Sequence, residues 1–517
     1  MVRVIKKDNT KEAFNIQKVV IAVNKSANRV LYTFTEEELR AICDHVEGYI
    51  RDHGMTEVQI WQMHNIVEAA LEAVRPEVAK SYRDYRNYKQ DFVGMLDSVY
   101  KKSQSIMYIG DKENSNTDSA LVSTKRSLIF NQLNKELYQK FFMNTEELQA
   151  CRDGYIYVHD MSARRDTMNC CLFDVQHVLK GGFEMGNLWY NEPKTLNVAF
   201  DVIGDIVLSA ASQQYGGFTV PSVDLLLEPY AERSYKMLTE KYSRLGLDAE
   251  TVEKEVMADI LNDFEQGFQG WEYKFNTVAS SRGDYPFITM TMGTGTGRFA
   301  KLASITMLNV RRKGQGKKGQ KKPVLFPKIV FLYDENLHGP GKPLEDVFEA
   351  GIECSSKAMY PDWLSLTGEG YVPSMYKKYG AIISPMGCRA FLSPWYERGG
   401  MKPADEEDKP VFIGRWNIGA VSLHLPMIYA KAQQESRPFH EVLDYYLELI
   451  RKLHIRTYAY LGEMRASTNP LAYCEGGFYG GHLKPSDKIK PIMKTATASF
   501  GITALNELQE LYNGKSL

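Results

Sequence analysis

The chain has 517 residues, 63 lysines and arginines against 64 aspartates and glutamates, and 44% hydrophobic residues. That length accommodates about three domains of ~150 residues, or one small and one large, with a core that needs no disulfide or metal staple. A net charge of −1 excludes a chain-wide nucleic-acid face; no run of about 18 apolar residues offers a membrane span, and MVRVIKKDNTKEAF has no apolar leader core, so a cytoplasmic protein is expected.

Residues 1–92 read as a unit of their own. A short basic strand (Val2, Val4, Ile5, then Lys6 and Lys7) turns at Asp8-Asn9 and leads into a helix over Gln17–Asn28. A second helix starts at the capping box Thr35-Glu36-Glu37-Glu38 and places Leu39, Ile42, Val46 and Ile50 on one face. Thr56-Glu57-Val58-Gln59 has the form of another such box and predicts a third helix. A fourth, over Val78–Phe92, is dense in Tyr and Arg.

From Val93 onward, short apolar runs (Tyr155–Val158, Ile329–Tyr333, Ala381–Ser384, Ala420–Leu425) alternate with amphipathic helices, one carrying Leu443, Leu447, Ile450 and Leu453. Such alternation predicts an α/β domain, rich in parallel sheet, over 93–517. The biased stretch Arg311–Lys322, RRKGQGKKGQKK, is expected to be an exposed hairpin or mobile loop of solvated charges; a loop that touches nucleotide phosphates or an acidic partner is the alternative.

Seven cysteines (Cys43, Cys151, Cys170, Cys171, Cys354, Cys388 and Cys474) form an odd, scattered set without a C-x-x-C pair. This excludes a disulfide framework and a zinc ribbon, and no metal site is expected within this chain. Cys43, Cys151 and Cys354 lie in helix-like sequence and read as small buried hydrophobes. Cys170, in Asp166-Thr167-Met168-Asn169-Cys170-Cys171-Leu172, and Cys388, in Ser384-Pro385-Met386-Gly387-Cys388-Arg389-Ala390, have more specific neighbours. A Pro-x-Gly-Cys turn after an apolar strand holds one sulfur at a rigid loop tip.

Two resemblances follow from these motifs. The run Lys6-Lys7-Asp8, Glu12, Phe14-Asn15, Lys18, with Thr56, Gln59 and the Tyr82–Arg86 helix, resembles the ATP-cone, a regulatory domain of ribonucleotide reductases. It implies that Lys6, Lys7, Glu12, Asn15 and Lys18 contact ATP or dATP, with Mg2+, as an on/off switch. Cations near a helix start suit a triphosphate, although a basic turn by itself reads first as a solvated face. The remainder resembles the class III, anaerobic ribonucleotide reductases among the glycyl-radical enzymes. The pieces are Glu113–Ser119, His159-Asp160, Asn169-Cys170, Pro385–Arg389, Asn417-Ile418-Gly419, Ser467–Pro470, Glu475-Gly476-Gly477 and Thr497–Gly501.

This second resemblance implies a ten-stranded α/β barrel with a central finger loop, preceded by the small, mainly helical ATP-cone. It implies thiyl-radical reduction of ribonucleoside triphosphates, in which Cys388 takes the 3′-hydrogen, Cys170 donates to the leaving hydroxyl and Asn417 holds the ribose. Ser467, Thr468 and Asn469 before Pro470, and Thr497 and Ser499 before an apolar helix, are candidates for the substrate phosphates or else ordinary caps. Glu113, Asn114 and Asn116 fall in the family's dimer-interface specificity region. Family members continue into a segment with a four-cysteine zinc site and a glycyl-radical loop, neither of which occurs in this sequence. The resemblance further implies a radical-SAM activating enzyme, a homo-oligomer (dimer or higher) and formate as reductant; the last fits the lack of an N-x-C-x-E arrangement. A pyruvate formate-lyase relative would carry paired cysteines on the loop, whereas here the pair Cys170-Cys171 is remote from it. A nucleotide-sensing subunit without its own radical is the non-catalytic alternative.

Overall fold

The computed structural model describes residues 2–6, 9–30, 32–108, 121–277, 283–387 and 390–517, with backbone alone for 87–91. The chain divides into two compact units, Met1–Gln104 and Ser105–Leu517.

In the first unit, β1 (Arg3–Ile5) pairs antiparallel with β2 (Lys11–Ala13) and parallel with β3 (Glu57–Gln59). Around this sheet lie α1 (Ile16–Arg29), α2 (Glu36–Asp52), α3 (Ile60–Val74) and α4 (Pro76–Tyr108). The Thr35 box starts α2, and Ile42, Val46 and Ile50 are buried against Val23, Val67 and Leu71, each contributing about 1.5–3 kcal/mol relative to exposure. The second expected box is not one. Glu57–Gln59 is a strand that buries Val58 beside Val4, and α3 starts three residues later on a Gln59/Gln62 box. Pairing with β1 satisfies the backbone that an isolated helical turn would leave open. α4 passes the expected end at Phe92 without a break and continues to Tyr108.

The second unit begins with α5 (Val122–Leu137), a π-helical turn Tyr138–Phe142 and α6 (Thr145–Arg152). The strands β4 (Ile156–Val158) and β5 (Cys171–Leu172), the short α7 (Val175–Leu179) and the hairpin β6 (Phe183–Met185)–β7 (Leu188–Tyr190) come next. Strand–helix units then follow: α8 (Leu196–Ala211), β8 (Phe218–Val220), α9 (Val223–Ser243), α10 (Ala249–Phe275), β9 (Ile288–Met292), α11 (Arg298–Lys313), β10 (Lys328–Tyr333), α12 (Glu345–Ala358), β11 (Asp362–Ser365) and α13 (Tyr371–Tyr379). The last part holds β12 (Asn417–His424), α14 (Leu425–Gln434), α15 (Phe439–Gly462), α16 (Pro470–Tyr473), β13 (Thr497–Thr503) and α17 (Leu505–Asn513).

Five strands form an all-parallel sheet in the order β11-β10-β9-β8-β5. Such a sheet must be covered on both faces. The helices α8–α12 cover one, through a core including Phe200, Phe264, Trp271, Met290 and Phe331. Across the other run residues 381–387 and 390–392, whose Ile383, Met386 and Leu392 pack on Leu172 and Leu332. The expected strand Ala381–Ser384 joins no ladder; in its neighbourhood the polar partners are sheet threonines, with Thr219 Oγ1 donating to Pro385 O at 2.9 Å.

A second sheet, β13-β12-β4, has β12 parallel to β13 and antiparallel to β4, backed by α14 and α15 through Ile428, Tyr446, Ile450 and Leu453. The architecture is therefore mixed α/β with a helical N-terminal unit. Among the described residues the strands form these two sheets, linked where Cys171 bridges Trp416, besides the small sheet of the first unit and the β6–β7 hairpin.

Residues 316–322 form an exposed turn as expected, but the start of the Arg311–Lys322 stretch does not. Arg311 is buried on α11 against Glu272, while Arg312 pairs with Glu353 and Lys313 with Glu265. The remaining cations lie in or beside a narrow turn closed by Gln315 and Lys322.

Candidate active site

The two sheets of the second unit meet at one seam, and Cys170 lies on it. Asn169 N donates to Asn417 O at 2.9 Å and Asn417 N to Cys170 O at 2.8 Å. Cys171 bridges antiparallel to Trp416 while pairing with Phe218 on its other side. The strand is only two residues long, yet it is hydrogen-bonded on both flanks, which fixes the backbone carrying the thiol.

The pleat sends the neighbouring cysteines opposite ways. Cys171 is fully buried in the helix-side core, its thiol donating to Gln214 Oε1 at 3.1 Å, and burial raises its pKa well above the ordinary thiol value. Cys170 packs instead with the cluster that holds Ile383, Met386 and Leu392. Its sulfur donates to Asn169 Oδ1 at 3.3 Å and accepts from Gly217 N at 3.1 Å.

Gly216 and Gly217 allow this approach. A Cβ on Gly216 would overlap Asn169 Oδ1 and reach 2.7 Å from Cys170 Sγ; one on Gly217 would overlap Gly387 Cα. Gly387 N donates to Thr219 Oγ1 at 3.2 Å, Thr289 Oγ1 donates to Gly387 O at 2.7 Å, and Met386 N closes the turn on Ala390 O at 2.8 Å. Met386 and Gly387 are thus pinned over the sheet next to Cys170, Gly387 by the buried Thr219 and Thr289. Cys388 itself, with Arg389, lies outside the described residues.

Asn417 is 3% exposed. Its Nδ2 donates to Thr497 Oγ1 at 3.1 Å and Ser499 Oγ at 2.8 Å, and its Oδ1 accepts from Gly419 N at 2.6 Å. Thr497 and Ser499 therefore lie on β13 as partners of Asn417, not at the helix start expected of them. Parallel pairing of β13 with β12 claims the segment before α17 can begin.

A cavity of about 640 Å3 opens beside the seam, lined among others by Asp160, Asp166, Tyr215, Asp284, Thr468 and Asn469. Tyr215 connects it to the seam, since Tyr215 N bonds Met168 O and Gly216 N bonds Asn169 O. Asn469 is buried and its Nδ2 has no partner among the described residues; Ser467 and Thr468 are exposed. Burial raises the Asp160 pKa against the opposing pull of His159 and Arg164.

In the first unit, Glu12 joins Lys6 (2.9 Å) and Lys18, and these hydrogen bonds and charges hold its pKa down at about 2. Asn15 caps α1 by accepting from Gln17 N at 2.9 Å. Lys7 lies outside the described residues. Lys18 also lines a second cavity of about 640 Å3, together with Lys25, Arg29, Trp61, His64 and Arg86. There Arg29 stacks at 3.6 Å over Tyr85, and His64 Nδ1 shares a 2.7 Å hydrogen bond with Tyr82 Oη.

Residues 113–517 match the family model described as anaerobic ribonucleoside-triphosphate reductase, and residues 2–91 match the ATP cone domain. The anaerobic ribonucleoside-triphosphate reductase of Haemophilus influenzae is 32% identical over 99% of this chain and 71% of its own length. That of Enterobacteria phage T4 is 34% identical over 80% of this chain and 66% of its own length. The fold is similar to the anaerobic ribonucleotide reductase of Thermotoga maritima crystallised with MES in the active site, at TM-score 0.53 and 14% identity over 83% of this chain and 68% of that one.

The chain belongs to the anaerobic ribonucleoside-triphosphate reductases.

The reductase brings Cys170, Asn417, Thr497 and Ser499 together at the seam, with Thr468 and Asn469 across the adjoining cavity. Glu113, Asn114 and Asn116 lie outside the described residues. Sequence reasoning missed Gly216-Gly217, Tyr215 and Arg164 around the seam, and Lys25, Arg29 and Trp61 around the ATP-cone cavity. The last group had a signal: Lys18, Lys25 and Arg29 fall seven and four apart, a cationic stripe on one face of α1.

Proposed function

We propose that this reductase replaces the 2′-hydroxyl of a bound ribonucleoside triphosphate by hydrogen, with Cys388 abstracting the 3′-hydrogen, Cys170 protonating the departing hydroxyl and Asn417 holding the ribose. One observation carries the reading: the Asn169–Cys170 backbone pairs with Asn417 while Gly387, next to Cys388, packs against Gly217 under the Cys170 sulfur. Cys170, Asn417 and Gly387, remote in sequence, thereby lie together, which supports a sugar oriented between two thiols.

In this reading a Cys388 thiyl takes hydrogen from C3′ and becomes a thiol. The resulting sugar radical loses the 2′-hydroxyl as water with a proton from Cys170. Net reduction draws two electrons from an external donor, for which formate is the candidate, and Cys388 returns the hydrogen to C3′. A glycyl radical, generated by a radical-SAM activating enzyme, would supply the one-electron oxidation of Cys388. Zinc, like the glycyl radical, would belong to the four-cysteine and radical-bearing segment of the family.

Ser467, Thr468 and Asn469 are the candidate phosphate end, supported by the buried, unpartnered Asn469 amide. Asp160, Asp166 and Asp284 in the same lining require that the phosphates arrive charge-compensated by a divalent cation. Thr497 and Ser499 would act on substrate through Asn417. ATP or dATP with Mg2+ would bind at Lys6, Lys7, Glu12, Asn15 and Lys18, where the lysines held by Glu12 become free to meet phosphate. Glu113, Asn114 and Asn116 remain the proposed specificity region of a homo-oligomer. The two sheets joined at the seam would be parts of a ten-stranded barrel around the 381–392 loop, and the protein would act in the cytoplasm.

The test is turnover of a ribonucleoside triphosphate by the activated full-length enzyme. Cys388→Ala and Cys170→Ser should each abolish deoxynucleotide formation while ATP binding is unchanged. Product from either variant at the wild-type rate would refute the assignment.

A further inference from the structure

β12 loses its register with β13 between Asn417 and Ala420. Irregularities of this kind re-aim side chains near active sites, and here the freed backbone is held by two side chains from elsewhere. Tyr215 Oη donates to Ile418 O at 3.1 Å, and Arg164 Nη1 donates to Ala420 O at 2.9 Å. Between them Gly419 has φ +134; a Cβ there would overlap the Arg164 guanidinium and lie 2.7 Å from Tyr215 Oη. A glycine is thus required twice, for its backbone conformation and for the approach of both donors.

The bulge has a chemical result. It turns Gly419 N back onto Asn417 Oδ1 at 2.6 Å. An N–H can only donate, so this contact fixes which end of the amide is oxygen. Both Nδ2 hydrogens are committed to Thr497 and Ser499, leaving Asn417 one function toward a ligand: acceptance through the second lone pair of Oδ1. A hydroxyl that donates is the group this amide can take.

Arg164 is an expensive way to hold a strand. Its side chain is fully buried, and among the described residues Nε and Nη2 have no hydrogen-bond partner. It stands on a turn that starts at Asp160, a non-glycine residue at φ +52, with Arg164 N bonding Asp160 O at 3.1 Å. A buried cation and a left-handed aspartate both cost stability, and such costs concentrate at functional positions.

We propose that Arg164, Tyr215 and Gly419 form a clamp that orients the Asn417 amide as a hydroxyl acceptor, making them positioning residues that set the preference for a ribose over a hydroxyl-free sugar. The inference rests on the reading of Asn417 as the residue that holds the ribose.

Equilibrium binding of CTP and of 2′,3′-dideoxy-CTP to the full-length chain separates the two ideas without requiring turnover. One hydroxyl–amide hydrogen bond gives the wild-type chain roughly a fivefold preference for CTP, and Asn417→Ala should reduce that ratio to about one. Tyr215→Phe, Gly419→Ala and Arg164→Met should each lower the ratio toward one while dideoxy-CTP affinity stays at the wild-type value, and Arg164→Lys should restore part of it. If the clamp variants retain the wild-type ratio while Asn417→Ala loses it, the clamp is refuted and the role of Asn417 stands. Equal weakening of both nucleotides in the clamp variants would mark general structural damage and also refute it. Retention of the ratio by Asn417→Ala would remove the reading on which the clamp rests.

Discussion

Replacing Arg311 by methionine should be far more damaging than its place in a lysine- and arginine-rich stretch suggests. Arg311 is fully buried and Glu272 is 4% exposed. The guanidinium donates from Nε to Glu272 Oε1 at 2.7 Å and from Nη2 to Pro327 O at 2.6 Å, and lies 5.2 Å from the Tyr360 ring centre. Gln315 Nε2 bonds the other Glu272 oxygen at 2.6 Å. Methionine keeps the apolar stem but leaves a carboxylate in the helix-side core with a single neutral donor, which should cost about 3–5 kcal/mol. The double variant Arg311→Met/Glu272→Met removes both charges and should recover most of that loss. Lys313→Met, breaking an exposed pair with Glu265, should cost under about 1 kcal/mol. Urea unfolding followed by fluorescence of the buried Trp271, next to Glu272, measures all three. A shift for Arg311→Met no larger than for Lys313→Met, or a double variant less stable than the single, would refute the reasoning.

Gly217→Ala should cut turnover about a hundredfold or more, because its Cβ drives into the Gly387 backbone and displaces the Cys388 loop; circular dichroism should stay at wild type while product formation falls. Burial, with the Arg164 charge adding to it, lowers the His454 pKa to about 4, and its Nε2 donates to Ser499 O at 3.1 Å. Between pH 6.5 and 4 the unfolded chain binds this proton and the folded chain does not. The stabilisation, about 3 kcal/mol, is therefore complete above pH 6.5 and lost as pH falls through that window; thermal midpoints of His454→Gln should be correspondingly flatter there. Arg29→Ala and Arg86→Ala should each weaken ATP binding about tenfold, measured calorimetrically, with smaller effects at high salt.

Helical periodicity was legible wherever one face is buried and the other wet. α2 with its Thr35 box and α15 with Leu443, Leu447, Ile450 and Leu453 occur where the pattern places them. β10 was legible for a different reason, as a short apolar run among helices. The failures share a cause: a partner distant in sequence decided the outcome. Glu57–Gln59 satisfies a capping pattern locally but is captured by β1. Ala381–Ser384 has strand composition, yet its neighbourhood bonds to threonine hydroxyls instead of a ladder. Arg311 resembles its solvated neighbours until Glu272 is seen opposite. At the site, motif order pointed to Cys170 and Asn417 as isolated positions; the hydrogen bonds joining them, and the glycines that admit the loop, are products of tertiary approach that no local pattern carries.

Cys170 and Cys171 are neighbours on paper and strangers in chemistry. One is presented to the loop bearing Cys388 and the other is sealed behind the sheet with Gln214. A maleimide or an oxidant meeting the folded chain should therefore mark the first and spare the second.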